Sequence, residues 1–127
     1  MTPVLDSSVV LAKFLGEPGA DAIPDDAVAT GRISAVNLSE VVAKLAERGV
    51  PSAQIAEVAE TLRRRSHAFD AEQAVAAGLL RPATLPAGLS LGDRACLALA
   101  QALGAPVLTA DRAWAGLDVG LEIEVIR

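Results

Sequence analysis

The chain is short of aromatic residues: among 127 positions there are two Phe, one Trp and no Tyr. Ala, Leu and Val therefore have to fill the interior, which favours helices lying close against a sheet. The single cysteine, Cys96, excludes an internal disulfide and a cysteine-rich zinc site; it lies in an apolar helical run and reads as buried packing. The single histidine, His67, has no serine or cysteine elbow to serve as base for. It follows Arg63-Arg64-Arg65-Ser66 and reads as a solvated helix terminus. No apolar run reaches membrane-spanning length, and the chain lacks a basic segment leading into an apolar one near its start; a cytoplasmic location is expected. An excess of base is missing too. Eleven basic against 16 acidic residues leave a net charge of −5, which argues against non-specific nucleic-acid binding through a basic face. A nuclease whose local positive charge is supplied by bound metal is still allowed.

What is present is apolar material, 52% of the chain, enough for a packed core. At this length one domain, 1–127, is expected, burying roughly two-thirds of the surface of its unfolded chain. Short apolar runs alternate with helical periodicities. Strands are expected near 3–6, 32–35, 106–108 and 122–126, with a brief one at Ala68-Phe69. Helices are expected over about 8–15, 37–48, 52–65, 70–80 and 90–103, a short one between Gly19 and Ile23, and a turn of helix through Trp114. Residues 81–89, with two prolines and a glycine, read as loop. Residues 121–126 alternate acidic and apolar, as an edge strand does. This order implies a three-layer α/β/α architecture around a central, mainly parallel sheet.

Four acids share one context. Asp6 and Asp111 directly follow apolar strands, and Glu40 and Asp93 lie near helix starts. Taken singly, each is accounted for by capping: Asn37-Leu38-Ser39-Glu40 fits a capping box, Ser90-Leu91-Gly92-Asp93 nearly so, and acids at helix N-termini gain from the macrodipole. Taken together they raise an electrostatic question. In a parallel sheet every strand-to-helix turn lies on one edge, so Asp6 and Asp111 belong near each other. Two like charges about 4 Å apart cost roughly 4 kcal/mol at an effective dielectric of 20. Converging acids must be separated, partly protonated, or matched by a cation, and an all-oxygen donor set suits Mg²⁺ or Mn²⁺.

Asp6 after its strand, Ser34-Ala35-Val36-Asn37-Leu38-Ser39-Glu40, Leu89-Ser90-Leu91-Gly92-Asp93-Arg94-Ala95 and Leu108-Thr109-Ala110-Asp111-Arg112-Ala113-Trp114 together resemble the PIN-domain ribonucleases, most closely the VapC-type toxins of bacterial toxin–antitoxin pairs. The resemblance spans essentially the whole chain, with the blocks in order. It implies a Mg²⁺-dependent endoribonuclease with Asp6, Glu40, Asp93 and Asp111 as catalytic and metal-binding residues. Ser7 and Thr109 match small hydroxyl positions that support such a metal site. A homodimer and a cognate antitoxin, whose amphipathic segment lies in an apolar groove, are also implied.

Other residues carry weaker signals. Lys13 and Arg112, close in sequence to the acids, are the candidate phosphate contacts to RNA. The arginine triplet reads first as helix solvation. Trp114 reads as a core anchor ahead of a base-stacking platform, and Asp118 as solvent-facing. The apolar faces of 37–48 and 52–65 either pack on each other or hold a partner. Two other functions compete. A phospho-accepting, Mg²⁺-binding signalling module needs a lysine on a late strand, and there is no lysine after Lys44. A catalytically dead PIN-like scaffold is opposed by the four intact acids.

Overall fold

The computed structural model describes residues 2–126. Five short strands, β1 (Val4–Leu5), β2 (Ile33–Ser34), β3 (Ser66–His67), β4 (Val107–Thr109) and β5 (Ile123–Val125), pair only in parallel. β1, β4 and β5 form one sheet in that order, and β2 and β3 a second. A parallel bridge between Val4 and Arg32 joins them, with Leu5 N–H donating to Arg32 C=O at 2.8 Å and Arg32 N–H to Pro3 C=O at 2.9 Å. The strands thus follow one another as β3, β2, β1, β4, β5.

Alternation along the strands sorts the core. Val4 and Val107, opposite each other in register, enter one apolar cluster with Cys96, Leu97, Ala77 and Trp114. Leu5 and Leu108, the next pair, point the other way into a cluster with Val9, Val10, Val41, Leu45 and Leu62. The first cluster is covered by α5 (Ala71–Leu79) and α7 (Leu91–Leu103), the second by α1 (Ser7–Leu15), α3 (Ala35–Glu47) and α4 (Ser52–Arg63). Two helical layers therefore enclose a parallel sheet, as the α/β alternation requires. Small residues allow the close approach: Ala95, Cys96, Ala98 and Ala100 of α7 are buried. Gly104 ends α7 in the left-handed region, at φ 61°, and its N–H caps the carbonyls of Ala100 and Gln101.

Three stretches depart from expectation. A helix, α2 (Asp25–Thr30), lies where the sequence showed no helical period. Six residues are too few for periodicity, but Pro24 precedes the helix and Asp25 and Asp26 occupy its first turn, favourable for the dipole. Gly31 follows it because a side chain there would strike the Ala27 carbonyl and Leu5. Within 81–89, Arg81–Thr84 form a short helix, α6, with Pro82 in the first turn, where its missing N–H is not needed. The brief strand expected at 68–69 lies at Ser66–His67, so His67 is half-buried beside β2 instead of solvated at a helix end.

The arginine triplet is occupied locally. Arg63 clasps Glu60 at 2.8 Å and Arg64 reaches it at 3.4 Å, while Arg65 donates to the Gly31 carbonyl at 2.7 Å. The hydrogen bond from Arg63 is the main reason that the exposed Glu60 is pulled down to about 2. The faces of 37–48 and 52–65 pack together through Val41, Leu45 and Leu62. Among the described residues no helix is long and apolar enough to cross a membrane.

Candidate active site

β1 delivers Asp6 to the carboxyl edge of the sheet. The Asp6 N–H continues the ladder to Leu108 C=O at 3.0 Å, which sets Asp6 beside Thr109. Although Asp6 holds the N-cap position of α1, its side chain makes no capping bond. Oδ2 accepts from Ser8 Oγ at 2.6 Å and from Thr109 Oγ1 at 2.9 Å. Oδ1 is buried and has no partner among the described residues. Only 2% of the residue is exposed. Burial is the main reason that the carboxyl is raised from 3.8 to about 6, with Asp93 and Glu40 adding to it and the Ser8 and Thr109 hydroxyls opposing it.

The hydroxyl that reaches Asp6 belongs to Ser8, which sequence reasoning did not single out beside Ser7. Along a helix each residue turns by about 100°, and the second one after Asp6 points back over the strand ends. Ser8 Oγ also accepts from Ala110 N–H at 2.9 Å and stands 3.4 Å from Thr109 Oγ1. Thr109 links two of the acids: its hydroxyl donates to Asp6 and accepts from Asp111 N–H at 3.1 Å. Asp111 is exposed, and its Oδ1 caps a 3₁₀ turn, Arg112–Trp114, by accepting from Ala113 N–H at 2.9 Å.

Glu40 does not close a capping box. α3 begins earlier, with Ser34 as cap accepting from Val36 N–H at 3.2 Å, so Asn37 falls inside the helix and is fully buried. Asn37 Nδ2 donates to Glu40 Oε1 at 2.8 Å and to Gly92 C=O at 2.9 Å. It ties the Glu40 carboxylate to the first turn of α7, where a Cβ on residue 92 would collide with that carboxylate. Asn37 is the positioning residue that sequence reasoning took for a cap; the signal available was its spacing of three from Glu40. Asp93, one residue beyond Gly92, does form a capping box with Ser90: Ser90 N–H donates to Asp93 Oδ2 at 2.9 Å and Asp93 N–H to Ser90 Oγ at 3.2 Å. Burial raises its carboxyl, the Ser90 bonds oppose that, and Glu40 and Asp111 push the same way as burial.

The four acids are thus one electrostatic group. Asp6 senses Asp93 and Glu40, and Asp93 senses Glu40 and Asp111. Beneath them the buried Cys96 thiol is pushed up by desolvation, with Asp6, Asp93 and Glu40 contributing. Among the described residues no three His, Cys, Asp or Glu close on one point; the carboxylates are neighbours, not a finished cage. The donor set nevertheless fits a hard divalent cation. It is all oxygen, and Asp6 Oδ1 is a buried acceptor without a donor.

Two recesses flank the acids. One, of about 570 Å³, is lined by Ser8, Pro18, Ala110, Asp111 and Arg112. The other, of the same volume, is lined by Ala35, Val36, Ser39, Glu40, Ala43 and Phe69. Arg112 lines the first recess together with Asp111. Lys13 Nζ is held 2.6 Å from Asp25 and 3.3 Å from Ile23 C=O, on the wall of a separate groove with Val10, Phe14, Val28, Val58 and Leu62. Its partner sits on α2, the helix without a sequence signature. Trp114 is fully buried and no stacking platform, and Asp118 is exposed.

Comparison with solved structures places this architecture among toxin–antitoxin complexes. A chain of DNA-bound VapBC from Salmonella typhimurium superposes with a TM-score of 0.76 at 20% identity, covering 100% of both chains. VapBC2 from Rickettsia felis, bound to a promoter DNA fragment, gives 0.74 at 18% over 98% of each. VapBC-5 from Mycobacterium tuberculosis gives 0.62 at 24%, covering 98% of this chain and 97% of that one. At such identities the likeness is one of fold. No curated protein sequence matches the chain. The family model for the PIN domain matches residues 4–119, the span that holds all four acids, and the chain belongs to the PIN domain family.

Proposed function

We propose that this chain is a Mg²⁺-dependent endoribonuclease and the toxin of a toxin–antitoxin pair, with Asp6, Glu40, Asp93 and Asp111 as its metal-binding and catalytic acids. The observation that carries the reading is Asp6: a carboxylate buried to 2% exposure with one oxygen lacking any donor, facing two further acids. A capping carboxylate accepts from a helix N–H; Asp6 makes no such bond and, among the described residues, keeps one buried oxygen unpaired, as a cation ligand does.

A divalent cation held there, Mg²⁺ or in its place Mn²⁺, supplies the Lewis acid for in-line displacement at phosphorus. The chain's own residues do the rest. Ser8 and Thr109 hold one oxygen of Asp6 and leave the other free to bind. Asn37 holds Glu40 against α7. Asp93 is anchored by Ser90 and Asp111 by its own turn, each through one carboxylate oxygen, which leaves the other oxygen for a cation. Arg112 offers a guanidinium to the RNA phosphate at the rim.

The toxin reading also needs partners. The groove of about 310 Å³ between α1, α2 and α4, with Phe14 at 40% exposure, suits an apolar antitoxin segment. Exposed Val75 and Leu79, one turn apart on α5, suit a homodimer. The test is cleavage of total RNA in Mg²⁺ by the wild type and by Asp6→Asn, Glu40→Gln, Asp93→Asn and Asp111→Asn. Each variant should lose most cleavage while staying folded. Near-wild-type cleavage by any two of them would return those acids to a capping role.

A further inference from the structure

The recess beside Glu40 differs in chemistry from the one beside Arg112. Its α3 wall is small and weakly polar, Ala35, Val36, Ser39 and Ala43, and Phe69 completes it. Phe69 follows β3, packs one side against the core cluster under α5 and α7, and keeps part of its ring uncovered. The other two aromatics serve elsewhere: Trp114 is sealed in the core and Phe14 lines the Lys13 groove. Phe69 is thus the aromatic surface available at the acids. Glu40 belongs to both the recess and the acid group, so the two are continuous. Among the described residues no basic side chain lines this recess to hold a phosphate, while the opposite flank carries Arg112 and the Ser8 hydroxyl.

We infer that the Phe69 recess is a nucleobase slot, in which the base adjoining the scissile phosphodiester of single-stranded RNA stacks on Phe69 beside the exposed Ser39 hydroxyl. This rests on the ribonuclease reading. An apolar ring in a recess without basic side chains suits a neutral heterocycle better than the charged backbone, and every base has a face to stack. The slot requires an unpaired base, so a base-paired strand is a poor substrate.

The test uses single-stranded RNA oligonucleotides carrying one 2-aminopurine, mixed with the protein in Ca²⁺ in place of Mg²⁺, so that the acids keep a divalent cation and binding is read without turnover. Stacking quenches the probe at the position that enters the slot. Phe69→Leu, which keeps an apolar contact with the core, should bind about 10-fold more weakly and lose the quench. Phe69→Trp should retain both, and thermal melting confirms that each variant is folded. Equal affinity and equal quench in the Leu variant overturn the slot. Wild-type cleavage is measured in parallel: cleavage with a Phe69-independent quench removes the slot and keeps the ribonuclease, whereas a Phe69-dependent quench without cleavage does the reverse.

Discussion

Asp6 is the residue at which stability and function oppose each other. Its carboxyl titrates near 6 in the folded chain against 3.8 ordinarily. The sign follows from the protons bound. Between about pH 4 and 6 the unfolded chain has released this proton and the folded chain still holds it, so folding stability is full below pH 4 and is lost as pH rises through 6. The loss is on the order of 3 kcal/mol. Asp6→Asn removes this contribution, so without divalent cation the variant should be the more stable protein at pH 7.5 and should show a flatter stability profile from pH 4 to 6. The gain will fall short of the full amount, because the amide nitrogen inherits the buried position that lacks a partner. Denaturant melts at several pH values decide it; equal slopes in the two proteins would mean that Asp6 is ionised freely in the fold. Asn37 is tested differently. Asn37→Ala removes the side-chain donor to the Gly92 carbonyl, which keeps its bond within α7, and releases Glu40; the two lost bonds should cost about 1–3 kcal/mol and most of the cleavage.

At the scale of the element, the first turn of α7 sets two rules against each other. Gly92 lies in a helix, where alanine is favoured by roughly 1 kcal/mol, yet its α-carbon is the surface on which the Glu40 carboxylate rests. Gly92→Ala should therefore be destabilising despite the better propensity, and should abolish cleavage by driving Glu40 out of place. A melting temperature above wild type would show that Glu40 has room to move. Next to it, Ser90→Ala removes the cap and should cost about 1 kcal/mol. Asp93→Asn keeps an oxygen for the Ser90 N–H and should melt within a few tenths of a kcal/mol of wild type, yet lose cleavage. The pair separates the structural work of Asp93 from its charge.

For the whole molecule the proposed site predicts a stability that depends on cation. At about 100 times its dissociation constant, Mg²⁺ adds roughly 2.7 kcal/mol, or about 10 °C in melting temperature for a chain of this size. Proton and cation compete for Asp6, so the shift should be large at pH 7.5, small at pH 5 and reduced in Asp6→Asn. Calorimetry with and without millimolar Mg²⁺ or Mn²⁺ measures it, and the absence of any shift at pH 7.5 would remove the cation site. The net charge of −5 sharpens the point: on the proposed reading, RNA has little unaided reason to approach this surface, and the attraction falls to the cation and Arg112.

Much of this was legible in the chain itself. Alternating short apolar runs and helical periods dictate a parallel sheet covered on both faces, and in such a sheet Asp6 and Asp111, each following a strand, fall on one edge by topology alone. The capping box at Ser90 and Asp93 is equally local, since its partners lie within one turn. What the tertiary structure decided is everything set by side-chain direction or by distant partners. Whether Ser7 or Ser8 meets Asp6 depends on the rotation of α1 against β4, a turn of 100° per residue that no spacing records. Lys13 pairs with Asp25, on a helix of six residues too short to show a period in the sequence. Asn37 became a clamp because α3 starts at Ala35 and its side chain meets a carbonyl 55 positions further on. The burial that lifts Asp6 to about 6 is a property of packed layers. Local rules place a carboxylate at the end of a strand; desolvation by the rest of the fold determines what it can bind.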